Sequence, residues 1–207
     1  ACVLLYTRFF EFPVSRVIDV LQLVRMRVPR AWLLVVGKGL FGEEEELFRL
    51  CSESGLSLAR VSSHNTKKAP TSEPRARVSG ADVVYAGWAP PAALPAYFAE
   101  AAVAVYPFDD TLVNRAKCPV KLGDLLAAGV PVVAEAVGQN REYIRDGETG
   151  FLVKPGDTRS FADAVVQLLK DADLRGRIGL AAARDVQERF AWDELIDAVE
   201  RAYGVRS

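Results

Sequence analysis

The chain has 207 residues, half of them apolar, and a formal net charge of −1 at pH 7. This length allows one ordinary domain or two small ones, and the apolar fraction is sufficient for a substantial core. The nearly neutral charge balance gives no indication of a nucleic-acid partner or of binding to an anionic membrane surface.

The cysteines bear on the compartment of the protein. Cys2, Cys51 and Cys118 have neither metal nor redox spacing, so we expect reduced thiols that fill the core of a cytoplasmic protein. The longest apolar runs are only as long as strands, and the opening residues have no basic region of a signal peptide.

Six apolar runs alternate with helical patterns along the chain. They are CVLLY, WLLVVG, DVVYAG, VAVYPF, PVVAEA and FLV. Most are apolar throughout, which is typical of strands covered on both faces. The pattern predicts an α/β fold, namely a Rossmann-like parallel sheet with helices on both faces. Ligands on such sheets bind beyond the carboxyl ends of the strands.

The helical stretches have apolar faces and, in two cases, clear boundaries. In the predicted helix at residues 119–128, Pro119 fits the first turn and Gly129 the exit, and Asp157 can cap a later helix. Further helices are expected after the first strand, around residues 47–51 and 94–98, and at 178–190 and 192–203.

The loop VVGKGLFGEEEE contains Gly37, Gly39 and Gly42 in the G-x-G-x-x-G spacing of dinucleotide sites. Three features oppose an NAD or FAD site. The glycines follow the second strand, residues 54–72 contain no acid for a ribose, and four glutamates at residues 43–46 would repel a pyrophosphate. We therefore predict no dinucleotide cofactor. The glycines either allow close backbone approach to a ligand or form a tight strand-to-helix turn.

A stronger anion site is predicted in YPFDDTLVNRAKCPVKLGDLLAAG. Arg115 and Lys117 precede a helix, and Lys121 lies in its first turn, where free N–H groups attract phosphate. Asp124 follows Lys121 by three residues, so the two can share one helix face and serve a diphosphate and a ribose diol. A surface ion pair is the alternative. Arg8 lies just past the first strand, at the same predicted edge of the sheet.

No metal site is predicted. The single histidine, His64, lies in a polar stretch, and no His/Cys cluster accompanies it. Asp109 and Asp110 are adjacent and not spaced for shared chelation, so a capping or turn role is favoured.

Residues 62–79 break the alternation. They are polar, with Lys67, Lys68, Arg75 and Arg77 among two prolines. A solvated loop is favoured over a surface for a partner, and both alternatives remain open.

In their order along the chain, these segments resemble the C-terminal, donor-binding domain of the family-4 (group 1) retaining glycosyltransferases of GT-B architecture. The similarity lies in LLYTRFFEF, LLVVGKG, DVVYAGW, LPAYFAEAAVAVYPF and KCPVKLGDLLAAGVPVVAEAVGQNREYIRDGETGFLVKPGD. It implies one nucleotide-sugar-binding domain over residues 1–207, with C-terminal helices at about 172–203. It also implies an N-terminal acceptor-binding domain that is absent from this chain.

The resemblance also implies roles for single residues. It assigns Arg8 and Lys121 to stabilisation of the leaving diphosphate. It assigns binding of a UDP- or GDP-sugar donor to Gly37, Gly39, Trp88, Arg115, Lys117 and Asp124. The implied reaction is metal-independent transfer, with retention, to a saccharide or lipid acceptor. Membrane contact would be peripheral and made only through the absent domain, and the isolated chain is expected to bind donor without transferring sugar.

Two departures from the family pattern concern the donor sugar and the second cation. Many members have two glutamates here. Asp124 takes the place of the second, and Ala116 takes the place of the first. The contact that the first glutamate makes with the donor sugar is therefore missing or is made by Asn114 or Arg115. Many members carry a lysine in the helix after the arginine that Arg8 matches, and this sequence has no clear counterpart. The role of the second cation is therefore left to Lys117 or Lys121.

Two other functions remain open at this stage. A nucleotide-sugar epimerase-like enzyme would need a general base, for which the sequence offers only His64. A non-catalytic nucleotide- or partner-binding module would use residues 62–79 as its contact surface.

Overall fold

The computed structural model describes residues 1–61 and 80–204, so His64 and the basic segment at residues 62–79 lie outside the described residues. Within these ranges the chain forms one seven-stranded parallel sheet with the order β3-β4-β2-β1-β5-β6-β7. The strands are β1 (Cys2–Tyr6), β2 (Trp32–Val36), β3 (Leu58–Arg60), β4 (Val83–Gly87), β5 (Val103–Tyr106), β6 (Val132–Glu135) and β7 (Phe151–Val153).

Helices lie between most consecutive strands and continue beyond the last one. In the described ranges they are α1 (Val14–Arg25), α2 (Glu44–Glu53), α3 (Leu94–Glu100), α4 (Leu112–Arg115), α5 (Val120–Ala127), α6 (Asn140–Tyr143), α7 (Thr158–Lys170), α8 (Ala172–Phe190) and α9 (Trp192–Ala202). The boundaries predicted for α5 and the start predicted for α7 are confirmed within one residue. Pro119 immediately precedes α5, Gly129 follows its end with a φ of +71°, and the Asp157 carboxylate accepts a hydrogen bond from the Ser160 N–H at 3.0 Å.

Most of the strands are apolar throughout because both faces of the sheet are buried. Successive side chains of a strand point to opposite faces. Accordingly, Leu5 and Val35 pack with α1 and α7 on one face, whereas Leu4 and Leu34 pack with α5 on the other. Two apolar cores therefore enclose the sheet, which confirms the predicted Rossmann-like α/β fold.

Several short elements, among them β3 and α4, were not predicted from the sequence. The edge strand β3 has three residues, none of them fully buried, so it lacks the apolar run that marks the other strands. Helix α4 is a single turn whose start is capped by Thr111, which accepts a hydrogen bond from the Asn114 N–H at 3.2 Å. Neither is long enough to show a hydrophobic period.

None of the helices in residues 1–61 and 80–204 combines the length and apolar character needed to cross a membrane.

Two glycines of α8 have opposite surroundings and provide a test of the packing. A Cβ on Gly179 would lie 2.2 Å from the carbonyl oxygen of Gly129, whereas a Cβ on Gly176 would meet no atom within 4 Å. We expect Gly179→Ala to lower the free energy of unfolding by about 1–3 kcal/mol, because the backbones must move apart. Gly176→Ala should raise it by about 0.5–1 kcal/mol through helix propensity. Urea denaturation followed by circular dichroism measures both, and two changes of the same sign would contradict this packing.

Candidate functional site

The loops that follow β1 and β5 diverge at the carboxyl edge of the sheet. These strands are neighbours, but the chain continues from β1 to α1 on one face and from β5 to α5 on the other. Such a switch point opens a crevice in a parallel sheet. Here the crevice contains an open depression, whose lining includes Thr7, Glu11, Tyr106, Phe108 and Lys121.

A left-handed residue shapes the exit from β1. Among the described residues, Phe9 is the one non-glycine residue with a positive φ, 72°, a conformation that side chains rarely adopt. Its ring is 2% exposed, and its N–H donates to the Thr7 hydroxyl at 2.8 Å. Burial of Phe9 and this bond fix the turn, which leaves the preceding Arg8 exposed at the edge of the sheet.

Two lysines of the segment after β5 lie at the crevice. The ammonium nitrogen of Lys117 lies 3.6 Å from the Glu11 carboxylate and 4.1 Å from the centre of the Phe10 ring. Lys121, in the first turn of α5, lies with its ammonium nitrogen 5.8 Å from the centre of the Tyr6 ring.

The electrostatics of Lys121 show which groups share its surroundings. Burial lowers the pKa of its ammonium group. Glu11 and Asp124 oppose this lowering by attraction, whereas Arg8 and Lys117 reinforce it by repulsion. Coulombic effects of this kind fall with distance, so these side chains form one cluster. Four of the predicted site residues are thus brought together from two separate loops.

Asp124 lies one turn after Lys121 on the exposed side of α5. Partial burial raises the pKa of this carboxyl group, and Lys121 lowers it. Burial also raises the pKa of the neighbouring Tyr6 hydroxyl, which Asp124 raises further and Arg8 lowers. The carboxylate therefore borders the cation cluster and remains accessible to hydroxyl donors.

Arg115 and Asn114 have partners in their own loop. The Arg115 guanidinium binds the exposed Asp110 through two hydrogen bonds of 2.5 and 2.9 Å, so it is committed to a surface carboxylate. The buried Asn114 amide donates to the carbonyl oxygens of Glu11 at 2.7 Å and Asp109 at 2.9 Å. This amide joins the loops after β1 and β5. A contact of either side chain with a donor sugar stays a prediction.

Close backbone packing accounts for Gly37. A Cβ there would lie 1.8 Å from the Thr7 carbonyl oxygen, and the residue has a φ of +132°. The backbones of the β1 and β2 exits therefore touch at this point, which favours the tight-turn interpretation of the glycine loop. A donor contact at Gly37 stays a prediction.

Two glutamates accept hydrogen bonds from backbone N–H groups of the glycine loop. The Gly39 N–H donates to the Glu44 carboxylate at 3.0 Å, and the Phe41 N–H donates to the Glu43 carboxylate at 2.8 Å. A Cβ on Gly39 would lie 2.2 Å from a carboxylate oxygen of Glu43. The amides that would hold a pyrophosphate in a dinucleotide fold thus bind the chain's own anions.

Trp88 lies at the same edge of the sheet, directly after β4. It is 60% exposed, and the preceding Gly87 accepts a hydrogen bond from the Gly37 N–H at 2.7 Å. The exits of β2 and β4 therefore meet, and the indole offers a free aromatic face beside them.

Glu135 organises the site but was not predicted from the sequence. Its carboxylate is fully buried at the end of β6 and accepts hydrogen bonds from the Phe108 and Gly156 N–H groups, both at 2.6 Å. Its oxygens also lie 2.8 and 3.1 Å from the Arg16 guanidinium, which binds Asp109 at 2.6 Å. Asp109 is thus ion-paired rather than a cap. A single acid at the end of the apolar run PVVAEA was the available signal.

Metal ligation receives no support from the described residues. In residues 1–61 and 80–204, no group of three or more His, Cys, Asp or Glu side chains lies close enough to hold a metal ion. Cys2 and Cys51 are free and buried, and burial raises the thiol pKa of Cys2 to about 12 and that of Cys51 to about 11. Cys118 is also free but exposed, so the prediction of a core position was wrong for this residue.

Sequence comparison places these features in a known group of proteins. The family described as "Glycosyl transferases group 1" matches residues 5–171. The N-acetyl-alpha-D-glucosaminyl L-malate synthase of Bacillus anthracis is 38% identical over 80 residues, which are 39% of this chain and 21% of that protein. The chain spans about a fifth of the length of the curated relatives it matches.

Solved structures share the fold at low sequence identity. Anabaena Alr3699/HepE, in complex with UDP and glucose, superposes with a TM-score of 0.72 at 19% identity, covering 99% of this chain and 48% of its own. The C-terminal domain of a group 1 family glycosyl transferase, LpcC of Francisella tularensis, gives a TM-score of 0.61 at 18% identity, covering 91% of this chain and 85% of its own.

Proposed function

Because the chain belongs to the group 1 glycosyltransferases, we propose that it is the donor-binding part of a retaining enzyme that transfers a sugar from a nucleoside diphosphate sugar to a saccharide or lipid acceptor. In this proposal the acceptor is held by a second domain, and the present chain alone binds donor without transferring sugar. Family membership favours glycosyl transfer over the epimerase-like alternative.

The observation that carries the proposal is the position of Lys117 and Lys121 at the crevice between β1 and β5, with Arg8 exposed just past the end of β1. These side chains come from two loops far apart in the sequence. A cluster of cations at a switch point of a parallel sheet is suited to a ligand with more than one phosphate charge.

This cluster can also contribute to the reaction. As the bond between sugar and phosphate breaks, negative charge develops on the leaving diphosphate. Cations held in place before the reaction stabilise that charge without reorganisation. We assign this role to Arg8 and Lys121, with Lys117 beside them, so that the proposed reaction needs no metal ion for the leaving group.

The nucleoside end of the donor fits the exposed groups beside the cluster. Asp124 can accept hydrogen bonds from both hydroxyls of a ribose, and the Trp88 indole offers a face for a nucleobase. The likeness to a structure that contains UDP supports a nucleoside diphosphate as ligand, and UDP and GDP are the two candidates to compare.

Isothermal titration calorimetry with nucleotides that have or lack the ribose hydroxyls tests this proposal. We expect saturable binding of UDP or GDP by the wild-type chain and no binding of NAD. Replacing Asp124 by alanine should weaken binding about tenfold, the lower end for a hydrogen bond to a charged group, because this carboxylate is accessible to water.

The 2′,3′-dideoxy analogue of the bound nucleotide is the internal control. It should bind wild type and Asp124→Ala equally, because it lacks the hydroxyls that Asp124 recognises. A similar loss for both nucleotides would contradict the ribose contact. Failure of UDP and GDP to bind the wild-type chain would favour the non-catalytic module.

A further inference from the structure

Glu11 is a carboxylate within a site whose other charges attract phosphate. It lines the same depression as Lys121, and its side chain is only 11% exposed. Its carboxylate lies 3.6 Å from the ammonium nitrogen of Lys117. Nothing in the proposed reaction uses this acid, and it would repel a diphosphate bound beside it.

Backbone contacts hold Glu11 in this position. Its carbonyl oxygen accepts hydrogen bonds from the Asp109 N–H at 2.9 Å and from the Asn114 amide at 2.7 Å. The next residue, Phe12, is buried in the core. The carboxylate is therefore carried into the crevice by the chain path and not by attraction to the lysines alone.

Its charge offsets the mutual repulsion of the cations. Arg8, Lys117 and Lys121 bring three positive charges into one small region, where like charges destabilise one another. Glu11 supplies a negative charge among them, as a bound phosphate would. The cluster is thus already partly neutralised before any ligand arrives.

We propose that Glu11 is a resident counterion of the diphosphate site, which stabilises the empty cluster and limits its affinity in proportion to the charge of the phosphate group bound. The inference rests on the proposed function, because it needs a phosphate ligand at this cluster.

The consequence of a resident counterion is that the site discriminates between ligands by their charge. A nucleoside diphosphate product has one more ionisable oxygen than the nucleoside diphosphate sugar, so Glu11 disfavours the product more than the donor and promotes product release.

The test is a titration of Glu11→Gln with ligands of increasing charge. We expect uridine to bind wild type and variant equally, UMP to bind the variant more tightly, and UDP to show the largest gain, about tenfold at low salt. Glu11→Ala removes the same charge without adding an amide donor and should give the same order. Glu11→Asp, which keeps the charge, should stay close to wild type.

Glu188→Gln is the matched control, since Glu188 is an exposed glutamate on α8 and its replacement should leave UDP affinity unchanged. Urea midpoints show whether each variant is folded at the titration temperature. If wild type binds UDP and both neutral variants bind it equally or more weakly, Glu11 positions Lys117 and the counterion inference is overturned. If wild type binds neither UDP nor GDP, the proposed function fails, and the counterion inference fails with it.

Discussion

Replacing Glu135 by glutamine is expected to lower the free energy of unfolding by about 3–5 kcal/mol, the range for a buried ion pair that loses one partner. The two carboxylate oxygens accept four hydrogen bonds, two from Arg16 and one each from Phe108 and Gly156. Glutamine has one oxygen and one amide group, so one of these donors must face another donor. The Arg16 charge also loses its buried partner.

A second variant separates the ion pair from the backbone contacts. In Glu135→Gln combined with Arg16→Met, no guanidinium is left without its carboxylate, so we expect part of the lost stability to return. The return is partial because the Phe108 or Gly156 N–H still faces an amide nitrogen. Urea denaturation of the two single variants and the double variant gives the coupling energy directly.

Glu148→Gln is the control for the same chemical change at a surface pair. Glu148 is 72% exposed and lies 3.4 Å from Arg145. Exposed pairs of this kind contribute at most about 1 kcal/mol, so the expected change is small. A Glu135→Gln variant no less stable than this control would show that the buried carboxylate does not organise the loops after β5 and β7.

The sheet was predictable from the sequence because burial of both faces is recorded in the strands themselves. Leu4 and Leu5 face opposite cores, so both positions must be apolar, and the same holds along the central strands. The boundaries of α5 and α7 were predictable from capping chemistry at Pro119, Gly129 and Asp157. The edge strand β3 was not, because its half-buried side chains are under no such constraint.

The site was predictable only as far as sequence order fixes it. Arg8 and Lys121 follow the ends of neighbouring strands, so the fold alone brings them to one edge. The contacts of Arg115, Glu11 and Glu135 depend on how the loops turn, and charge patterns do not determine loop paths. The glycine loop gave an ambiguous pattern for the same reason, since both a phosphate and the Glu44 carboxylate satisfy its amides.

Removing the cations that face the crevice should abolish recognition of the diphosphate. We expect Arg8→Ala and Lys121→Ala each to weaken UDP binding by roughly 10- to 100-fold, because a hydrogen bond between charged groups contributes about 1.5–3 kcal/mol. The affinity for uridine should not change. The double variant should bind UDP no more tightly than uridine, since the remaining Lys117 charge is cancelled by Glu11. The exposed Lys170, at the far end of α7, is the control, and Lys170→Ala should bind UDP like wild type.

The pH dependence of UDP affinity distinguishes the effect of the Lys121 charge from the effect of its bulk. Burial lowers the pKa of this ammonium group, so its charge is lost at a lower pH than that of an ordinary lysine. If the charged form binds phosphate, the UDP affinity of the wild type falls as pH rises toward that lowered pKa. Lys121→Arg keeps its charge over the same range and should show a weaker decline. Burial already disfavours the charge of Lys121, so its removal should not destabilise the fold and Lys121→Ala should remain folded. Weaker UDP binding by this variant then reports the loss of the phosphate contact. Equal losses for UDP and uridine, or identical pH profiles for wild type and Lys121→Arg, would assign Lys121 a role in shaping α5 rather than in holding the leaving diphosphate.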